Sequence, residues 1–209
     1  AAGAPRLSCG DLEDCYKLYH SLGLDVVKVD SKGDATKSPD GVRGLAASLN
    51  STSRLLYLEF PSLRDYTLWL SKLGALEAKL RGTLTALKVT PEGARVVVYA
   101  RVRGVWEVVR PKSYREGMLV PLPPSDLNNA SYRHYSREWT LAELEAEEWE
   151  RAYKAYLDVL APKPVEDAQA RLEAFLATVP EQHRAKVREI LERLTIDTRS
   201  FPQVLRLGA

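Results

Sequence analysis

Cys9 and Cys15 are the only cysteines in the chain, and they are joined by just three histidines, His20, His134 and His183. These five side chains are the ones able to act as nucleophile, neutral-pH base or soft metal ligand. Cys15 and His20 are five positions apart, so on one helix they stand about 140° apart around the axis and cannot meet. His134 lies beside Tyr132, Tyr135 and Glu138, but the sequence names no nucleophile or partner base for it. The expectation is therefore a structural or exposed imidazole. The histidines lack ligand spacing, so no metal site and no cofactor is expected. A Cys9–Cys15 disulfide is possible, but Cys15 falls in a predicted helix, and the favoured reading is two reduced, partly buried thiols. The adjacent carboxylates Glu147 and Glu148 point apart on a helix and do not form an acid–base pair.

Known backbone cradles are missing too. G-x-x-x-x-G-K-[ST], G-x-G-x-x-G, G-x-S-x-G and H-E-x-x-H do not occur, which removes the common phosphate, nucleophile-elbow and zinc motifs. No catalytic residue is assigned, and the protein reads as a non-enzyme. Asn50-Ser51-Thr52 and Asn129-Ala130-Ser131 match the glycosylation acceptor pattern, which is short and frequent by chance.

Two residue sets suit binding instead. The stretch NNASYRHYSREW, residues 128–139, mixes aromatics with arginine, the combination enriched at protein interfaces. Tyr132, Arg133, Tyr135, Arg137 and Trp139, with Trp149, Tyr153 and Tyr156 on the following helix, form the candidate partner surface. The second set is basic. From Lys79 to Arg115 there are nine basic and two acidic residues, whereas Glu138 to Glu150 holds six acidic and no basic ones. Arg95, Tyr99, Arg101, Arg103, Trp106 and Arg110 would make a single-strand nucleic-acid platform, if the arginines and rings share an exposed sheet face.

Those side chains need elements to position them. Asp11 to Leu22 places Leu12, Cys15, Tyr16, Tyr19 and Leu22 on one helical face, with Gly23 as cap. DVVKVD (25–30) predicts a strand, residues 31–40 a polar loop, and GVRGLAASL a short helix. RLLYLEF (54–60) predicts a strand. Ser62 and Asp65 start a helix carrying Leu63, Tyr66, Trp69, Leu70, Leu73, Leu76 and Leu80 on its buried side. TLTALKV, TPEG and ARVVVYARV predict a hairpin, with VWEVVR as the third strand of a meander. Four prolines in residues 111–130 mark a strap. Thr140 with Glu143 reads as a capping box for a helix ending near Ala161, and two further helices follow.

The fold class expected is α+β: a mostly antiparallel sheet of about five strands with packed helices, then a C-terminal region of three helices. Its divisions are a sheet domain over 1–110, a proline-rich linker over 111–139, a helical region over 140–195 and an extended tail over 196–209. The 209 residues, 45% hydrophobic and 28% charged, suffice for a core. A net charge of +2 does not by itself imply a polyanion partner. No run is long and apolar enough to span a membrane. The scarcity of Asn, Gln, Met and Ile fits a GC-rich or thermophilic source. The start at AAGAPRL suggests a removed leader. The function expected from these readings is an accessory, non-catalytic subunit of a larger protein assembly, mitochondrial in location. The alternatives are a single-stranded nucleic-acid-binding protein, an enzyme with an unrecognised site, and a location in the cytoplasm of a thermophile.

Overall fold

The Asp11 carboxylate accepts the Asp14 N–H at 2.9 Å and opens α1 (Leu12–Ser21) where the sequence predicts it. This structure, a computed structural model, describes residues 5–161 and 165–194; the expected tail over 196–209 lies outside them. Cys15 and Tyr19, one turn apart on α1, are both fully buried. Gly23, at φ +85°, turns the chain into β1 (Val26–Val29).

GVRGLAASL is a strand rather than a helix: β2 (Gly44–Ser48) lies antiparallel to β1, with Val26 opposite Ala47. Close packing explains the change. A Cβ on Gly44 would fall 2.5 Å from the Ser125 Oγ, so this backbone approaches its neighbour as only glycine allows. The neighbouring Leu45, Ala46 and Ala47 are all buried, as in a strand covered on both faces.

β3 (Leu55–Phe60) leads to α2 (Leu63–Ser71), whose Ser62 cap accepts the Asp65 N–H at 3.1 Å. The predicted single helix breaks after Lys72. Gly74 takes φ +58° and a short turn precedes α3 (Glu77–Arg81). Leu73, Leu76 and Leu80 stay buried across the break, while Leu63 is half exposed. The predicted hairpin forms as β4 (Thr85–Thr90) and β5 (Gly93–Val102), with Thr90 opposite Gly93. VWEVVR is not a third strand. It forms the one-turn helix α4 (Trp106–Val109), because the Trp106 ring drops into the core and its Nε1 donates to the Leu55 carbonyl at 2.8 Å.

The 111–139 segment is not a linker. It supplies β6 (Leu119–Leu122), β7 (Ser125–Leu127) and β8 (Ala130–His134). Its prolines lack N–H groups, so what has to be satisfied is carbonyls. The buried Tyr99 and Tyr19 hydroxyls donate to the carbonyls of Pro121 and Pro123. Asn128 and Asn129, both at positive φ, make the tight β7–β8 turn.

β6 pairs with β2 to give a three-stranded sheet, β1-β2-β6. The second sheet runs β3-β5-β4-β8-β7. A sixth strand, β9 (Glu143–Leu144), lies parallel to β5. The outer edge of β3 is plugged by side chains. Trp106 bonds the Leu55 carbonyl, the Tyr114 hydroxyl bonds both the N–H and the C=O of Tyr57, and the Tyr156 hydroxyl donates to the Glu59 carbonyl at 3.0 Å.

Thr140 and Glu143 do not cap a helix. Residues 139–144 are extended and paired: Thr140 N–H reaches the Gly82 carbonyl at 2.9 Å, and Arg101 N–H reaches the Ala142 carbonyl at 2.8 Å. The helix begins later, as α5 (Ala146–Leu160), where Glu148 reaches back to accept the Glu145 N–H at 2.9 Å. α5 packs on α2, and Trp69 Nε1 donates to the Ala152 carbonyl at 2.9 Å. The chain divides after Leu160 into two compact units, so α5 belongs with the sheets and the expected helical region 140–195 is split. In the second unit α6 (Val165–Ala177) and α7 (Glu181–Leu194) pack Leu172 and Leu176 against Val187 and Leu191. The fold is α+β, with sheets of three and six strands and seven helices among the described residues. No described helix is long and apolar enough to cross a membrane.

Candidate functional site

Three separate parts of the first unit converge on the cysteines. The N-terminal segment pairs with the strap: Leu7 N–H donates to the Trp139 carbonyl at 2.7 Å and Trp139 N–H returns to Leu7 at 3.0 Å. That bridge delivers Cys9. α1 delivers Cys15 from its second turn. β8 delivers His134 as its last residue, held opposite Ala86 of β4.

Cys9 and Cys15 are joined as a disulfide with Cα atoms 5.1 Å apart, inside the range a bridge requires. This corrects the expectation of two reduced thiols. Gly10 and the Asp11 cap turn the chain back on itself, so a cysteine before the helix meets one inside it. The two sulfurs differ in access: Cys15 is fully enclosed and Cys9 is half-buried. Cys9 borders an open concavity of about 370 Å3 lined by Ser8, Gly10, Asp14, Lys17 and Arg137.

His134 Nε2 lies 3.5 Å from the Cys9 sulfur and 3.7 Å from the Cys15 sulfur. The three donor atoms fall within 4.8 Å of one another. His134, for which the sequence named no partner, thus stands against a disulfide whose two halves lie 119 and 125 positions away. Burial pulls the imidazole below the ordinary histidine range. The ring is parallel to Trp139 within 11°, at a centroid distance of 5.9 Å. Its Nδ1 is enclosed without a hydrogen-bond partner, so the Trp139 ring and the two sulfurs facing Nε2 are what hold it. One signal in the sequence pointed here. Alternation along β8 puts Tyr132 and His134 on one side, and Tyr132 is core.

The predicted partner set separates. Tyr132, Trp139 and Trp149 are buried at 7%, 2% and 4% exposure, which spends them on the fold. Tyr153 and Tyr156 are half-buried under Trp149 and Phe60. Arg133, Tyr135 and Arg137 are exposed; Arg133 pairs with Asp126 at 3.0 Å, and Arg137 lines the concavity beside Cys9.

The nucleic-acid set separates more completely. Tyr99 and Trp106 are enclosed in the core, so neither ring has a free face on which a base could stack. Arg101 is 9% exposed; burial, then the neighbouring Arg54, lower its pKa, and Glu143 opposes them. Arg103 meets Glu143 and Glu145 at 3.2 Å each, Arg95 meets Glu59 at 2.9 Å, and Arg110 lies over the Trp106 ring. From the basic run, Lys79, Arg101 and Arg103 meet the acidic run at Glu148, Glu143 and Glu145, while Arg81, Lys88 and Arg95 pair with Glu77 and Glu59.

Comparison of the sequence with known proteins returns no matching family model and no matching curated protein.

Proposed function

We propose that this protein exchanges its Cys9–Cys15 disulfide with dithiols of a partner molecule. The observation that carries the reading is the asymmetry of the bridge: one sulfur borders an open concavity rimmed by Asp14, Lys17 and Arg137, the other is enclosed, and an imidazole nitrogen stands within 3.7 Å of both. Attack requires a thiolate approaching one sulfur along an open path, with the other sulfur as leaving group. Only Cys9 offers that path.

The exchange balances as follows. A thiolate of the dithiol attacks the Cys9 sulfur. The Cys9–Cys15 bond breaks and its electron pair leaves on the Cys15 sulfur, which takes up a proton. The second thiolate of the dithiol then attacks its own sulfur in the mixed disulfide and releases Cys9. The protein gains two electrons and two protons, and the dithiol becomes a disulfide. Lys17 and Arg137 favour the thiolate form of an incoming thiol.

Reduction of the oxidised full chain by a dithiol, followed by thiol titration without denaturant, tests this. The expected result is rapid, complete release of two thiols from folded protein, and a Cys15→Ser variant whose free Cys9 thiol, offered a linear disulfide, forms a stable mixed disulfide with one half while the other half leaves as a thiol. A bridge that opens only as the protein unfolds refutes the proposal.

A second reading, an accessory non-catalytic subunit of a larger assembly, is favoured by one other observation. Burial of Trp106 turns Val105 and Val108 outward, at 60% and 80% exposure, an apolar pair presented on α4. In this reading Val105→Ser with Val108→Ser shifts the native protein from a large species to a smaller one in sedimentation. Native wild-type protein that sediments as a monomer removes it.

A further inference from the structure

Reducing the Cys9–Cys15 bond leaves two thiols, which give up their protons when an ion binds, and an imidazole nitrogen facing one small volume. What that volume would hold rests on the redox reading above, because the bridge must open in the folded protein. The donor set is soft: two sulfurs and a ring nitrogen suit thiophilic ions, whereas magnesium and calcium demand oxygen ligands.

The spacing points the same way. An ion about 2.3 Å from each thiolate and about 2.0 Å from an imidazole nitrogen, in tetrahedral geometry, holds sulfur and nitrogen about 3.5 Å apart. The two sulfur-to-nitrogen distances here are 3.5 and 3.7 Å. His134 therefore already stands at ligand spacing from both sulfurs. Only the sulfurs have to separate, to about 3.8 Å. Cys9 can make that movement by rotating its side chain at the edge of the concavity, while Cys15 and His134 stay fixed by α1 and β8.

We infer that the reduced protein binds one thiophilic cation, with Zn2+ as the reference ion, through Cys9 Sγ, Cys15 Sγ and His134 Nε2. The fourth position opens onto the concavity beside Asp14, Lys17 and Arg137. Three protein ligands with an open fourth place is the arrangement that lets an ion take a water or an incoming donor. Re-formation of the bridge by an external disulfide, which accepts the two electrons and leaves as two thiolates, removes two of the three ligands. Ion and bridge thus exclude each other.

The test uses the full chain, reduced under anaerobic conditions, with Zn2+ titrated against a chromophoric chelator and Co2+ as an optical probe of thiolate ligation. The expected result is one equivalent bound by reduced protein and none by oxidised protein. Cys9→Ser and His134→Gln should each weaken binding by more than the roughly 100-fold that loss of an outer-shell partner alone costs. Cys9→Ser alters a half-buried group at the surface, so it reports even where His134→Gln disturbs the core. Equal binding by reduced and oxidised protein, or a Cys9→Ser variant that binds like the wild type, overturns the inference. If two thiols appear on reduction but no ion binds, the metal site fails and the exchange reading stands. If folded protein yields no thiols, both fail.

Discussion

Tyr114→Phe should be among the more costly single-atom changes in this protein. The Tyr114 hydroxyl both accepts from the Tyr57 N–H and donates to the Tyr57 carbonyl on the open edge of β3. The ring itself lies parallel to Tyr57 at a centroid distance of 4.8 Å. Phenylalanine keeps that ring and its buried apolar area, so the transfer term barely changes. What it leaves is one N–H and one C=O without a partner at a site where Tyr114 is 7% exposed. A buried group orphaned in this way costs about 1–3 kcal/mol, so the pair costs about 2–4 kcal/mol after partial relaxation. Tyr156→Phe removes only one bond, to the Glu59 carbonyl, from a half-buried side chain that water can replace; its cost is about 0.5–1.5 kcal/mol. Urea unfolding of both variants measures the difference. The slope against denaturant should stay unchanged while the midpoint falls, because the surface exposed on unfolding is the same. A Tyr114→Phe cost below about 1 kcal/mol, the net worth of one ordinary hydrogen bond, or no larger than that of Tyr156→Phe, would refute the view that this edge is closed by side chains.

Other outcomes follow from the same geometry. Trp149→Ala should lower stability by about 3–5 kcal/mol, read by thermal unfolding of the isolated protein, since Trp149 is core rather than an exposed anchor. Reducing Cys9–Cys15 closes off no other contact and should cost about 2 kcal/mol, the loop-entropy value for so short a ring, seen as a lower urea midpoint with reductant present. Glu148→Gln should cost about 0.5–1 kcal/mol by weakening the return bond to Glu145 at the start of α5. The Glu145 N–H, with Lys79 nearby, holds the Glu148 carboxyl below the usual carboxylate range, against a smaller opposing effect of burial. That stabilisation is therefore full above the ordinary Glu value of about 4.3 and is lost as pH falls through the lower folded value. Acid titration of stability in wild type and variant should converge below that range.

The parts legible in the sequence are those governed by local rules. α1, β3, the start of α2 at Ser62 and the β4–β5 hairpin follow from caps, periodicity and turn residues within a few positions. The misread parts are those decided by distant partners. GVRGLAASL looks helical until Ser125 presses on Gly44. VWEVVR alternates like a strand until Trp106 finds the Leu55 carbonyl. Prolines over 111–130 suggest a linker until Tyr19 and Tyr99 supply the donors that their carbonyls need. At the candidate site the residue types were visible but the constellation was not. Nothing near residue 134 discloses that a bridge formed by residues 9 and 15 will sit against it. The binding sets separate for a related reason: tyrosine and tryptophan suit an interface and a core equally, and only burial distinguishes them.

The pairing of Leu7 with Trp139, and of Arg101 with Ala142, also sets when this protein can become itself during synthesis. A chain still emerging from the ribosome can close α1, the hairpin and even the bridge between Cys9 and Cys15, since their partners lie close in sequence. It cannot complete the pairing of β5 or seat Leu7 until the segment around 139–144 has appeared. The first 110 residues are thus not a folding intermediate with a finished core but a set of half-covered sheets waiting for a late strand. Contacts of such long sequence separation slow folding and leave apolar edges open meanwhile. The first 160 residues therefore complete their core only once the segment around 139–144 is available, and α6 and α7 have a small cluster of their own.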